Sequence, residues 1–131
     1  DRAHYTWYAW LLEQGGDVDG AIDFLREAQG YFSDEPTFFM SAGRILLRNE
    51  QVDEALKISQ QAVNLAWGDN LLRAVALHGE ILIAANRDSE MRSLVEETLA
   101  AQSAPGKLSV RTHGYREALE KLLATGTNDE K

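Results

Sequence analysis

The chain has 131 residues, of which 44% are hydrophobic and 26% are charged, a size and balance typical of one soluble domain. Its formal net charge of −8 argues against a general binder of nucleic-acid phosphates, so no nucleic-acid partner is expected. The absence of cysteine excludes disulfides, thiol catalysis and cysteine-bound zinc, and no apolar run is long enough to predict insertion into a membrane.

Two successive segments at the start of the chain carry apolar side chains at helical spacing. The first stripe consists of Tyr5, Tyr8, Ala9 and Leu12. The second consists of Ala21, Phe24, Leu25 and Ala28. Gly15 and Gly16 separate the stripes, and Asp17 or Asp19 is placed to cap the second helix. We therefore predict a helical hairpin over about residues 2–35.

Two more hairpins and a single helix follow. Turn sequences at 33–36, 67–70 and 103–106 bound hairpins at about 36–69 and 70–103, which break near 49–51 and 86–88. A last apolar stripe predicts a helix over about 108–125, and the polar residues 126–131 are predicted to be a disordered tail. No segment shows the strict alternation of a half-buried strand.

The three hairpins share one pattern with a period of about 34 residues. The aligned segments are Tyr5-x-x-Tyr8-Ala9-x-x-Leu12, Phe39-x-x-Ala42-Gly43-x-x-Leu46 and Val75-x-x-His78-Gly79-x-x-Leu82. The second helices keep the same register, with Ala21, Leu25 and Ala28 aligned to Ala55, Ser59 and Ala62, and then to Met91, Val95 and Thr98. A repeat of this length is the signature of stacked helical hairpins.

This pattern resembles the tetratricopeptide repeat (TPR). Gly43, Gly79 and Ala9 stand where that family places a small residue, although Met91 and Thr98 replace usual alanines. The resemblance implies an all-α fold of about seven helices, in which antiparallel hairpins stack as a right-handed superhelix. It also implies one domain over 1–125, with the last helix as a cap.

The resemblance implies binding of a peptide or partner helix in a concave groove lined by the first helices, as a scaffold within a larger protein. The residues placed in that groove are Thr6, Trp10, Met40, Arg44, Leu47, Arg48, Arg73, Glu80 and Ile83. Three arginines beside apolar side chains favour a ligand with an acidic group and an apolar anchor. The alternative is that the arginines pair with neighbours such as Glu50, Asp69 and Glu80.

Other roles stay open at this point. Trp7 lies off the core stripe, where it packs on a preceding repeat or forms a second surface for a partner or for self-association. The repeats can also serve homo-oligomerisation, intramolecular assembly or regulation of an enzyme outside these residues. The sequence carries no address signal, so the cytoplasm and the periplasm both remain possible.

Catalysis is not expected within this chain. Asp17, Asp19 and Asp23 resemble part of a calcium loop, but Gly15 and Arg26 occupy its two end-ligand positions. The three histidines lack metal spacing, and no phosphate loop or nucleophile motif is present. We therefore expect no cofactor and no metal.

Overall fold

The fold is built from α-helices alone in the residues that the computed structural model describes, which are 2–102 and 109–128. The helices are α1 (Arg2–Gln14), α2 (Val18–Tyr31), α3 (Thr37–Arg48), α4 (Val52–Leu65), α5 (Asp69–Ala84), α6 (Asp88–Ala101) and α7 (Val110–Asn128). No strand occurs in the described ranges. The prediction of an all-α chain with about seven helices is confirmed.

The last helix differs from its predicted bounds. It begins at Val110 and continues to Asn128, three residues into the segment predicted to be a disordered tail. The predicted turn at 103–106 and the end of that tail, 129–131, lie outside the described residues.

The helices form two compact units, Asp1–Ala66 and Trp67–Lys131, which we call unit 1 and unit 2. In unit 1, α2 packs on α1 and α3, and α4 packs on α3. In unit 2, α5, α6 and α7 all pack against one another. The single domain over 1–125 therefore stays a prediction.

The core of each unit follows the register of the sequence repeat. The buried repeat positions of unit 1 are Ala9, Ala21, Leu25, Ala28, Ala42, Gly43, Leu46, Ala55, Ser59 and Ala62. Those of unit 2 are Val75, His78, Gly79, Leu82, Met91, Val95 and Thr98. Two aromatics depart from the register. Tyr8 is largely exposed although it belongs to the predicted stripe, and Phe38 is fully buried whereas its neighbour Phe39 is only half-buried.

Gly79 shows why the repeat needs a small residue on its first helix. A Cβ atom at this position would lie 2.9 Å from Leu122 Cδ1 on α7 and 3.4 Å from Met91 Cγ on α6. The missing side chain therefore lets α5 approach both neighbouring helices.

The turn inside each hairpin repeats the same backbone geometry. A residue with positive φ ends the first helix each time: Gly16 at 89°, Glu50 at 61° and Asn86 at 60°. The next N–H closes the turn on a leucine carbonyl each time: Asp17 on Leu12 at 2.9 Å, Gln51 on Leu46 at 2.9 Å, and Arg87 on Leu82 at 2.8 Å. This is the hydrogen bond of a Schellman cap, and only the first hairpin uses glycine for it.

A buried glutamine organises the connection between α2 and α3. The Gln29 side chain donates from Nε2 to the carbonyls of Phe32 and Glu35, and its Oε1 accepts the N–H of Phe39 at 3.1 Å. The N-cap residue of α3, Pro36, offers no side-chain cap. Gln29 thus supplies a partner for one of the otherwise unpaired N–H groups in the first turn of α3.

Candidate interaction surfaces

Helices α1 and α3 run parallel in unit 1, which sets the candidate surface between them. The ring centroids of Tyr5 and Phe38, near the two helix starts, are 5.7 Å apart. At the two helix ends, Arg48 Nη2 lies 2.7 Å from Glu13 Oε1. We call Thr6, Trp10, Arg44, Leu47 and Arg48 the α1–α3 face, because they occupy the predicted groove positions of these two helices.

Arg48 is held at one end of this face by an ion pair. Its Nε also donates to Glu13 Oε2 at 3.1 Å, and Asn49 Nδ2 donates to the same oxygen at 2.9 Å. These hydrogen bonds, led by those of Arg48, keep the pKa of the Glu13 carboxyl below its ordinary value. Arg48 therefore pairs with a neighbouring acid, as the alternative prediction for the arginines stated. Its partner is Glu13, which that prediction did not name.

Large side chains on the remainder of the face differ in accessibility. Trp10 is 41% exposed, and Arg44 and Leu47 are half-buried. Thr6 is also half-buried, and its hydroxyl donates to the Ala3 carbonyl of its own helix at 3.1 Å. The parallel register places Trp10 and Arg44 at the same level, one turn before Glu13 and Arg48 respectively.

Met40 is not part of this surface. It is 1% exposed, so the placement of Met40 in a groove open to a partner is wrong. The physical reason is the position of α3, which packs on α1, α2 and α4 and therefore buries a wider stripe than α1 does.

The other three predicted groove residues belong to unit 2. Arg73 donates to Asn70 Oδ1 at 3.3 Å, and its guanidinium carbon lies 5.9 Å from the centroid of the Tyr115 ring. Glu80 is exposed and Ile83 is half-buried. Their role in binding stays a prediction.

A second surface lies on α1 and α2. Trp7, Tyr8 and Leu11 are 59%, 49% and 45% exposed, and Trp7 stacks on Trp10 at a centroid distance of 4.9 Å. A groove of about 640 Å³ opens here, lined by His4, Tyr5, Trp7, Tyr8 and Phe24. The sequence analysis identified Trp7 but missed Tyr8, because helical spacing alone assigned it to the core.

The acidic loop before α2 has a structural use. Asp17 Oδ1 accepts the N–H of Gly20 at 2.9 Å and so caps α2.

Among residues 2–102 and 109–128, no group of three or more histidine, aspartate or glutamate side chains is arranged to hold a metal ion. No described helix is both long and apolar enough to cross a membrane.

His78 is the buried titratable group of α5, and we expect it to make stability depend on pH. Burial, followed by the charge of Arg87, lowers the pKa of His78 below its ordinary value of 6.5. Below about pH 6.5, His78 binds a proton in the unfolded chain but remains neutral in the folded chain until the pH is lower. The free energy of unfolding should therefore fall as the pH drops from about 7.5 to about 5.5, which urea unfolding followed by circular dichroism measures.

The matched variant for this prediction is His78→Gln, which cannot titrate in that range. Above about pH 5.5, the free energy of unfolding of this variant should depend less on pH than that of the wild type. Carboxylates such as Glu13 and Glu90 change the free energy of unfolding only near and below their ordinary pKa of 4.5. An equal slope in both proteins would contradict the assignment to His78.

Comparison with solved structures supports the repeat architecture. The chain is similar to the first TPR domain of the human RPAP3 protein, determined by NMR, with a TM-score of 0.60 and 16% sequence identity. The match covers 95% of this chain and 93% of that one. No protein-family model and no curated protein match the sequence. At this identity the likeness establishes the fold, and the chain has the helical-repeat fold of a TPR domain.

Proposed function

We propose that this chain is a protein-interaction module whose α1–α3 face binds a peptide or helix of a partner protein. The observation that carries the proposal is Trp10, a large aromatic side chain that is 41% exposed on the first helix of a TPR-like fold. A few residues dominate the binding energy of most protein interfaces, and tryptophan, tyrosine and arginine are enriched among them.

The side chains around Trp10 favour a particular kind of ligand. Leu47 adds apolar surface, and Arg44 adds a planar guanidinium that suits a carboxylate. Arg44 lies level with Trp10 on the α1–α3 face, so we assign it to an acidic group of the ligand. The preferred ligand is thus a segment with one apolar anchor and one acidic side chain.

The test is a pull-down from lysate of the native host, analysed by mass spectrometry. Wild type is compared with Trp10→Ala and Arg44→Glu after circular dichroism has shown that each variant folds. We expect a partner whose recovery falls about tenfold in both variants, the effect of losing roughly 1.4 kcal/mol of binding free energy.

Two control variants separate this face from general surface effects. Arg26→Glu makes the same change of charge on an exposed residue of α2, and Trp67→Ala removes a tryptophan that is 80% exposed between α4 and α5. Both should capture the partner as wild type does. Equal recovery by all five proteins would refute the proposal, and a homo-oligomer that is lost in Trp10→Ala would replace it with a role in self-assembly.

A further inference from the structure

The surface on α1 and α2 is an exposed apolar patch that side chains of both helices form. We call Trp7, Tyr8 and Leu11 on α1, together with Phe24 on α2, the aromatic face. Leu11 follows Trp7 by four residues and Tyr8 by three, so the three side chains share one side of α1. Phe24 joins them through Tyr8, with ring centroids 4.8 Å apart. An exposed apolar patch is the type of surface that protein partners commonly bind.

The groove in this face has room for side chains of another helix. Its volume is about 640 Å³, and apart from His4 it is lined by aromatic rings. Tryptophan and tyrosine rings also attract cations to their faces. The face therefore suits a ligand that brings apolar side chains for the groove and positive charges for its edges.

The charges around the aromatic face are negative. Residues 1–35 contain eight acidic and two basic residues, a net charge of −6. On α2, Asp19, Asp23 and Glu27 are exposed and spaced by four, so they form one acidic row. None of the three makes an ion pair with another residue in the described ranges. Glu27 also follows Phe24 by three residues and so lies beside the aromatic face.

This charge distribution decides between two occupants. A second copy in a two-fold dimer would place the same acidic hairpin against itself, since such an interface uses one patch on both subunits. Like charges at an interface disfavour that pairing. A helix with lysines or arginines beside an apolar stripe would satisfy both the groove and the acidic row.

We propose that the aromatic face docks a basic amphipathic helix of a partner protein. This site adjoins the α1–α3 face where Trp7 stacks on Trp10, but it does not depend on the function proposed for that face. It lies on the side of α1 that carries Trp7, Leu11 and Tyr8, whereas the α1–α3 face uses Trp10.

The probe for the test is a fluorescein-labelled synthetic helix built from leucine and lysine in an amphipathic pattern. Its control has glutamate in place of every lysine. Binding is followed by fluorescence anisotropy at about 50 mM and about 300 mM NaCl. We expect the lysine peptide to bind at least about tenfold more tightly than the glutamate peptide, and to lose about tenfold in affinity at the higher salt.

Leu11 variants distinguish docking from general attraction between a basic peptide and an acidic protein. Leu11→Glu makes the protein more acidic, so general attraction predicts tighter binding. Docking on the aromatic face predicts binding weaker by about fivefold, and Leu11→Lys should weaken it more, by about thirtyfold. Leu11 is exposed, so both variants should fold, which circular dichroism verifies.

A pair of charge reversals locates the acidic contribution. Glu27→Lys lies beside the aromatic face, and Asp53→Lys makes the same change on an exposed residue of α4. We expect Glu27→Lys to weaken binding about fivefold more than Asp53→Lys. Equal effects of the two reversals, tighter binding by Leu11→Glu, or equal binding of the two peptides would each overturn the proposal. A wild-type dimer that Leu11→Glu dissociates would overturn it in favour of a second copy.

Variants of the other surface keep the two proposals apart. Arg44→Glu should bind the lysine peptide as wild type does, and loss of the lysate partner in that variant bears only on the α1–α3 face. The two proposals can also fail separately. If wild type binds the lysine peptide but the pull-down finds no partner that depends on the α1–α3 face, the aromatic-face site is supported and only the proposed function is refuted.

Discussion

Phe38→Ala is expected to lower the free energy of unfolding by about 4 kcal/mol. Phe38 is fully buried and lies among the rings of Tyr5 and Phe32, at centroid distances of 5.7 and 5.5 Å. Truncation removes these contacts and leaves a cavity where α1, the α2–α3 connection and the start of α3 meet. Urea unfolding followed by far-UV circular dichroism measures the loss.

The adjacent phenylalanine provides the control for this prediction. Phe39→Ala removes the same atoms from a half-buried position in the same helix turn, so it should cost about half as much. A smaller loss for Phe38→Ala than for Phe39→Ala would show that Phe38 does not anchor unit 1.

Gln29→Leu is expected to lower the free energy of unfolding by about 3 kcal/mol. The leucine fills similar space but leaves the carbonyls of Phe32 and Glu35 and the N–H of Phe39 without their side-chain partner. Loss of a partner for a buried backbone group costs about 1 to 3 kcal/mol when water cannot replace it fully. The same urea titration measures the loss in free energy of unfolding. Faster hydrogen exchange at the Phe39 amide would show that the loss arises at the start of α3.

The Gln29→Glu variant tests whether the Nε2 donor of Gln29 contributes to stability as well as its Oε1 acceptor. An ionised carboxylate accepts from the Phe39 N–H, but it cannot donate to the two carbonyls. We expect this variant to be at least as unstable as Gln29→Leu at neutral pH. Gln61→Leu changes an exposed glutamine of α4 in the same way and should cost less than about 0.5 kcal/mol. Equal stability of Gln29→Leu and Gln61→Leu would refute the structural role of Gln29.

The fold was predictable where packing demands a small residue at a fixed interval. Buried small residues occur at the repeat period, namely Ala9, Gly43 and Gly79. At Gly79 the neighbouring helices approach so closely that a Cβ atom would lie 2.9 Å from Leu122 Cδ1. The choice between Phe38 and Phe39 was not predictable in this way, because adjacent aromatics both fit a helical stripe. Gln29 was missed because its hydrogen bonds go to backbone groups of a connection whose shape the sequence pattern does not specify.

The candidate site was predictable only in part. The register identified Trp10 and Trp7, whose exposure follows from their position away from the stripe of α1. It failed for Met40, because α3 is covered by more neighbouring helices than α1 is. The partner of Arg48 was missed because Glu13 lies 35 residues away, at the spacing of one repeat, whereas residues near in sequence were considered first.

The links between α1 and the region of α3 carry a consequence for how unit 1 folds. They join residues 33 to 36 positions apart, as in the Arg2–Glu35 and Glu13–Asn49 contacts, and the other helix contacts of the unit connect helices consecutive in sequence. Chain closure over such short distances costs little entropy, and helical proteins with mainly local contacts fold within microseconds to milliseconds. Unit 1 should therefore reach its native state rapidly, so the Phe38 side chain, which is buried in the native state, spends little time available for aggregation during synthesis.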